Sequence, residues 1–289
     1  MDIKKRTELL FRQCEQLKSM PGFYDAVALH YQLSLDSYKL QPLFYKIILQ
    51  ESRFNIVLAI CCVIFGQKIH SVSEIKEICS RYKIASPNSV IAIVTLLKTG
   101  GRLTTVRDES DRRKVQLEAT DKGMQDLKFY LKGAFTPLNI LYPELSLSEH
   151  TLEKKNIRRT FFSRAAEMIF EGITYPNVLP AAGVFVNKDG GRLMMLHLLI
   201  EARKHSSANK VTLDYSQKRL AQMFSISRTH VRRVLNDAIE CGLIEDEEGS
   251  KITLLPAFFE TAETYAGLYF AWVLDYLDLN SQTLKADEA

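Results

Sequence analysis

The sequence is sparing with the residues that build metal sites, disulfide frameworks and membrane spans. Its five cysteines, Cys14, Cys61, Cys62, Cys79 and Cys241, are odd in number and none stands at CxxC spacing. That argues against both a disulfide framework and a zinc site. The six histidines are scattered without ligand spacing, so no metal is expected. No GxGxxG, P-loop, HExxH or GxSxG pattern occurs, and without such motifs neither a catalytic residue nor a cofactor is expected. The most apolar run, "NIVLAICCVIFG" at residues 55–66, is twelve residues long, whereas a membrane span needs roughly 20. It reads as a buried helix, and no membrane partner is expected. Cys61 and Cys62 lie within it and read as small buried hydrophobes rather than redox sensors, because burial without a nearby cation raises a thiol pKa. The opening "MDIKKRTELLFRQCEQLKSM" lacks an apolar export core with a small-residue cleavage site, so the expected location is cytoplasmic and nucleoid-associated.

Net charge is also slight, +4 from 38 basic and 34 acidic residues. A polyanionic partner must therefore be met by local clusters rather than by the overall field. What the chain does have is 289 residues, 46% of them hydrophobic, enough to supply cores for two domains of ordinary size.

The most informative cluster is "SISRTHVRRVLNDAIECGLI", residues 225–244, where Arg228, Arg232 and Arg233 fall within six residues. Ser227 can cap a helix; behind it Val231, Val234, Leu235, Ala238 and Ile239 recur at helical spacing, and Gly242 suits a left-handed stop. Thr229, His230, Arg232, Arg233 and Asn236 then point away from the apolar side. Upstream, "DYSQKRLAQMF" at 214–224 is a shorter helix, preceded by the helical "GRLMMLHLLIEARKH" and the strand-like "KVTL". "LIEDEEGSKITLL" reads as strand, turn, strand. Helix, strand, helix, helix, strand, strand is the winged helix-turn-helix plan.

The plan recurs earlier in the chain. Residues 71–78, "SVSEIKEI", line up with 216–223, "SQKRLAQM"; residues 86–101, "SPNSVIAIVTLLKTGG", line up with 227–242, "SRTHVRRVLNDAIECG". "RLTTVRDESDRRKVQLEAT", 102–120, supplies a hairpin. The expected fold is mainly α with small β-hairpin wings: tandem winged helix-turn-helix domains flanked by long helices. The expected divisions are an N-terminal helical segment 1–49, a first winged domain 50–135, a helical connector 136–185 interrupted near its prolines, a second winged domain 186–255, and a C-terminal aromatic helix and tail 256–289. The tail's Phe258, Phe259, Tyr265, Tyr269, Phe270, Trp272 and Tyr276 read as packing or association residues.

At "DESDRRKVQLEATDKG", 108–123, the chain resembles the MarR family of bacterial transcription regulators, over about residues 50–140. The resemblance implies a regulator that places a helix in the major groove and a basic wing on the backbone, with Asp111, Arg112 and Arg113 at that family's wing positions. It also implies a homodimer paired through terminal helices, although this chain, with two modules, can imitate a dimer by itself. The second module, about 190–255, looks equally like the recognition helix of the cyclic-AMP receptor protein family or of MarR proteins. No cyclic-nucleotide domain is read ahead of it, so that effector is not carried over, and the sequence names no small-molecule effector.

The two modules differ in charge. Where the second recognition helix has Arg228, Arg232 and Arg233, the first has Pro87, Ile91 and Ala92. The first wing carries Arg107, Arg112, Arg113 and Lys114, whereas the second carries Glu245, Asp246, Glu247 and Glu248, which a phosphodiester backbone would repel. The expected DNA-binding residues are Arg228, Thr229, His230, Arg232, Arg233 and Asn236 in the second module. In the first they are Asn88, Ser89, Arg107, Arg112, Arg113 and Lys114. A third basic run, "EKKNIRRTFFSR" at 153–164, reads first as a solvated face. The function expected is sequence-specific binding of double-stranded DNA to regulate transcription. The alternatives are a plasmid-type replication initiator with two winged-helix domains, or a winged-helix protein-interaction scaffold.

Overall fold

A computed structural model describes residues 2–66, 71–107, 115–148, 150–247 and 250–279. The N-terminal helices are α1 (Ile3–Ser19), α2 (Phe23–Leu40), α3 (Pro42–Ile48) and α4 (Glu51–Cys61), the last running into a π-helical turn at Cys62–Gly66. Next come α5 (Val72–Arg81), α6 (Pro87–Thr99), the strands β1 (Leu103–Arg107) and β2 (Val115–Ala119), and α7 (Asp121–Leu141). The middle of the chain forms α8 (Lys155–Phe170) and two four-residue helices, α9 (Tyr175–Val178) and α10 (Gly183–Val186). Then follow α11 (Gly191–His205), β3 (Val211–Asp214), α12 (Gln217–Met223), α13 (Arg228–Glu240), β4 (Ile244–Glu247), β5 (Lys251–Leu254) and α14 (Pro256–Tyr276). The fold is mainly α with small antiparallel sheets: a two-stranded β1–β2 and a three-stranded sheet in the order β3–β5–β4.

The helix starts follow from side-chain caps. Ser71 and Glu74 form a reciprocal capping box on α5, and Ser86, Thr120, Ser216 and Ser227 cap α6, α7, α12 and α13. Each cap occupies one of the backbone N–H groups that a helix start leaves without a partner. Thr120 does two jobs: its Oγ1 accepts from Gly123 N at 3.1 Å and donates to the Gly101 carbonyl at 2.6 Å. The "TDKG" stretch thus clamps the end of the first hairpin onto α7.

At the centre lies α14, nearly every side chain of which is buried. It packs against α1, α7, α8 and α11, and α2 packs against α7 and α11. The aromatic tail is therefore a core helix of its own chain: Tyr175 stacks on Tyr265 at 4.3 Å, and Phe161 meets Tyr276 edge-on at 5.3 Å. The aromatic residues of this helix thus find their packing partners within their own chain. The buried apolar residues form one contiguous cluster from Leu10 to Tyr276.

Other expectations shift in detail. Pro137 does not interrupt the connector but lies buried inside α7, so the expected division at 135 falls within a continuous helix, and that at 185 falls within α10. Ile239 is 37% exposed, at the margin of the buried arc of α13, not in it. Cys61 and Cys62 are held in apolar surroundings, and burial pushes the Cys61 thiol up to about 12 and that of Cys62 well above its ordinary value. Among the described residues no single helix is long and apolar enough to cross a membrane.

Candidate nucleic-acid interface

The helix-turn-helix is built from α12 and α13. Leu220 and Ala221 of the first helix, Phe224 just after it, and Val231, Val234, Leu235 and Ala238 of the second are buried, which leaves the opposite faces to solvent. Between them Ser225 adopts a left-handed φ of 51°, and Ile226 N returns a hydrogen bond to the Ala221 carbonyl at 3.0 Å. The N-terminal part of the chain grips this turn: Tyr38 Oη donates to the Phe224 carbonyl at 2.7 Å. The turn is thus fixed by a helix far away in sequence.

On the free face of α13, Arg228, Thr229, Arg232, Arg233 and Asn236 are exposed. Arg228 and Arg232 make no ion pair among the described residues. The first acidic residue of the helix, Asp237, is bound by Lys188 at 2.7 Å, so it does not offset the arginines. Helix polarity adds partial positive charge at the same end, where Ser227 Oγ accepts from His230 N at 3.1 Å. A guanidinium on such a face can clamp a phosphate or fork onto guanine O6 and N7.

His230 is placed differently from its neighbours. It is half-buried, with Nε2 3.1 Å from the Asp189 carbonyl and Nδ1 2.8 Å from Arg233 Nη2. The expectation that its ring points outward is corrected: it ties α13 to the turn before α11 and steers Arg233. Two residues outside the expected set join the surface. Lys218 and Arg219 are exposed at the start of α12, and the first helix of such a pair crosses the DNA backbone. Their signal in the sequence is the basic pair that closely follows the Ser216 cap.

In the second wing Lys210 pairs with Glu245 at 3.3 Å; Glu248 lies outside the described residues. In residues 51–119, Asn88 and Ser89 are exposed at the start of α6, where Ser89 Oγ lies 2.9 Å from Ser86 Oγ. The exposed face of α6 carries Ile91, 44% exposed, in place of an arginine. Arg107 is exposed at the end of β1, whereas Arg112, Arg113 and Lys114 lie outside the described residues. In the third basic run Lys155 and Arg159 are exposed, but Arg158 packs over the Phe65 ring at 5.4 Å and donates to the Leu152 carbonyl. Among the described residues no cluster of three or more histidine, cysteine or carboxylate side chains can hold a metal ion.

No curated protein and no solved structure matches the chain. The family model described as the Crp-like helix-turn-helix domain matches residues 192–256, which span α11 to the first residue of α14. Those residues carry a DNA-binding helix-turn-helix of the kind found in transcription regulators.

Proposed function

We propose that this protein is a sequence-specific, duplex-DNA-binding transcription regulator whose principal reader is α13. The observation that carries the reading is the exposed row Arg228, Arg232 and Arg233 on a helix whose other face is packed. Lys218 and Arg219 extend it toward the backbone. Arg228 and Arg233 read bases, Arg232 meets phosphate, and Thr229 and Asn236 flank them.

Residues 51–119 act as a second winged helix, MarR-like in its hairpin and in the "TDKG" that follows. The order of three helices and two strands supports this, as does the matching pair of serine caps on α6 and α13. With no arginine on the outer face of α6, this unit positions the protein through Arg107 and the nearby Arg112, Arg113 and Lys114 of the sequence rather than reading bases.

Salt titration of binding to an operator and to a scrambled duplex tests the reading, after genome-wide mapping has supplied the operator. Arg232→Ala with Arg233→Ala should flatten the log–log slope by roughly 0.9 for each phosphate that the variant no longer neutralises. Unchanged affinity and slope would remove α13 from the interface. Bound sites at promoters support regulation, and iterated sites beside an origin would instead indicate replication initiation.

A further inference from the structure

Away from the DNA-facing surface, the structure contains a cavity of about 190 Å³ between α4, α7, α8 and α14. Arg192, at the start of α11, contributes to its wall, so the cavity abuts the first helix of the matched domain. Val57, Leu58, Leu127, Phe162 and Val273 make most of the lining apolar.

Two buried donors interrupt this lining. Trp272 is 6% exposed and its Nε1 has no hydrogen-bond partner among the described residues; Arg192 is 8% exposed and its Nε has none either. The Tyr269 hydroxyl approaches Tyr130 without closing a hydrogen bond. Folded proteins pair nearly all buried polar groups, so orphaned donors at one cavity point to an acceptor that is not part of the chain. Water would meet these donors but leave the apolar walls unfilled, whereas a molecule with an acceptor and an apolar body meets both.

Charge and size narrow the class. Arg192 Nη2 already binds the buried Glu51 carboxylate at 2.7 Å. A second carboxylate here would be a buried anion facing Glu51, which is costly without a cation of its own. A neutral oxygen acceptor meets the donors without that cost. An apolar cavity of roughly 150 Å³ holds benzene, so this one has room for a single ring with a small substituent.

We propose that the cavity is a binding site for a small, uncharged, mostly apolar molecule of one-ring size whose acceptor oxygen takes the Trp272 indole N–H. The assignment does not rest on DNA binding, and its test contains no DNA.

The full-length protein is titrated with three probes that share a ring: methyl benzoate, benzoate and toluene. Calorimetry and melting temperature read the binding, and Trp272, the only tryptophan in the chain, reports on the cavity by its emission. Methyl benzoate should bind saturably and raise the melting temperature. Toluene should bind roughly fivefold to tenfold more weakly, the worth of one neutral hydrogen bond, and benzoate no better than toluene at neutral pH. Trp272→Phe should bring methyl benzoate down to the level of toluene. Cys61→Phe, or Val57→Phe should the first fail to fold, should fill the space and weaken both neutral probes. The proposal is overturned if no probe binds, if benzoate binds best, or if Trp272→Phe leaves the affinity for methyl benzoate unchanged.

Discussion

In the first turn of α13 the Nε2 of His230 donates to the backbone carbonyl of Asp189 at 3.1 Å. That bond fixes the tautomer: Nδ1 is left as an acceptor, and Arg233 Nη2 donates to it at 2.8 Å. Burial lowers the His230 pKa below the ordinary value, and the Arg233 cation lowers it further. The neutral ring is therefore the structural form, kept to lower pH than in a free imidazole. Arg233→Ala should raise the His230 pKa by removing the repelling charge, read from the imidazole resonances in an NMR pH titration. An unmoved titration would mean that the two side chains do not meet in solution.

A second cation is held far more tightly. Arg102 is 5% exposed and lies over the Phe44 ring at 3.4 Å. It donates to Asp126 at 2.5 Å, to Gln41 at 2.5 Å and to the Gly100 carbonyl at 3.0 Å. It thus joins α3, the turn before β1, and α7. Asp126→Ala leaves a buried guanidinium without its counter-charge and should cost about 3 kcal/mol in urea unfolding. Adding Arg102→Met to that change should recover part of the loss, whereas additive losses would show that the pair is not coupled.

Gly123 tests the clamp between hairpin and helix. A Cβ at this position would collide with the Arg102 carbonyl oxygen, which is backbone and cannot swing away. Gly242 has a left-handed φ of 68° but open space around it. Gly123→Ala should therefore destabilise by more than about 2 kcal/mol, through backbone displacement, while Gly242→Asn should cost only about a few tenths, because asparagine tolerates that conformation. Equal melting temperatures for the two variants would show that α7 is free to move off the hairpin.

The parts of this structure legible in the sequence are those written in local pattern. Ser216 and Ser227 announce two helix starts, the spacing of Val231, Val234, Leu235 and Ala238 sets the buried face of α13, and Gly242 ends it. Each signal spans a few residues. The contacts that the sequence does not disclose join distant positions: Tyr38 to the Phe224 carbonyl, Arg192 to Glu51, His230 to Asp189. No periodicity encodes such partners. His230 departs from its expected place for this reason, since helical spacing puts it outward and only the turn before α11 draws it in. The aromatic content of α14 signals packing without saying whether the partner is this chain or another copy.

His30 carries the pH dependence that follows from burial. It is 5% exposed, its Nδ1 donates to the Gly133 carbonyl at 2.7 Å, and its ring lies 4.3 Å from that of Tyr269. Burial lowers its pKa from 6.5 to about 4, and the nearby Arg192 charge acts in the same direction. The unfolded chain therefore binds a proton at His30 more readily than the folded one between about pH 6.5 and pH 4. The associated stability is fully present above the unfolded value and is lost as pH falls through that window, by about 3 kcal/mol in all. His30→Asn keeps a donor for Gly133 without the titrating ring. Urea unfolding of both proteins at about pH 8 and about pH 5 isolates the effect, because other histidines titrate alike in each. The wild type should lose more stability than His30→Asn over that interval; an equal loss would show that His30 is reached by solvent and protonates without unfolding the helices around it.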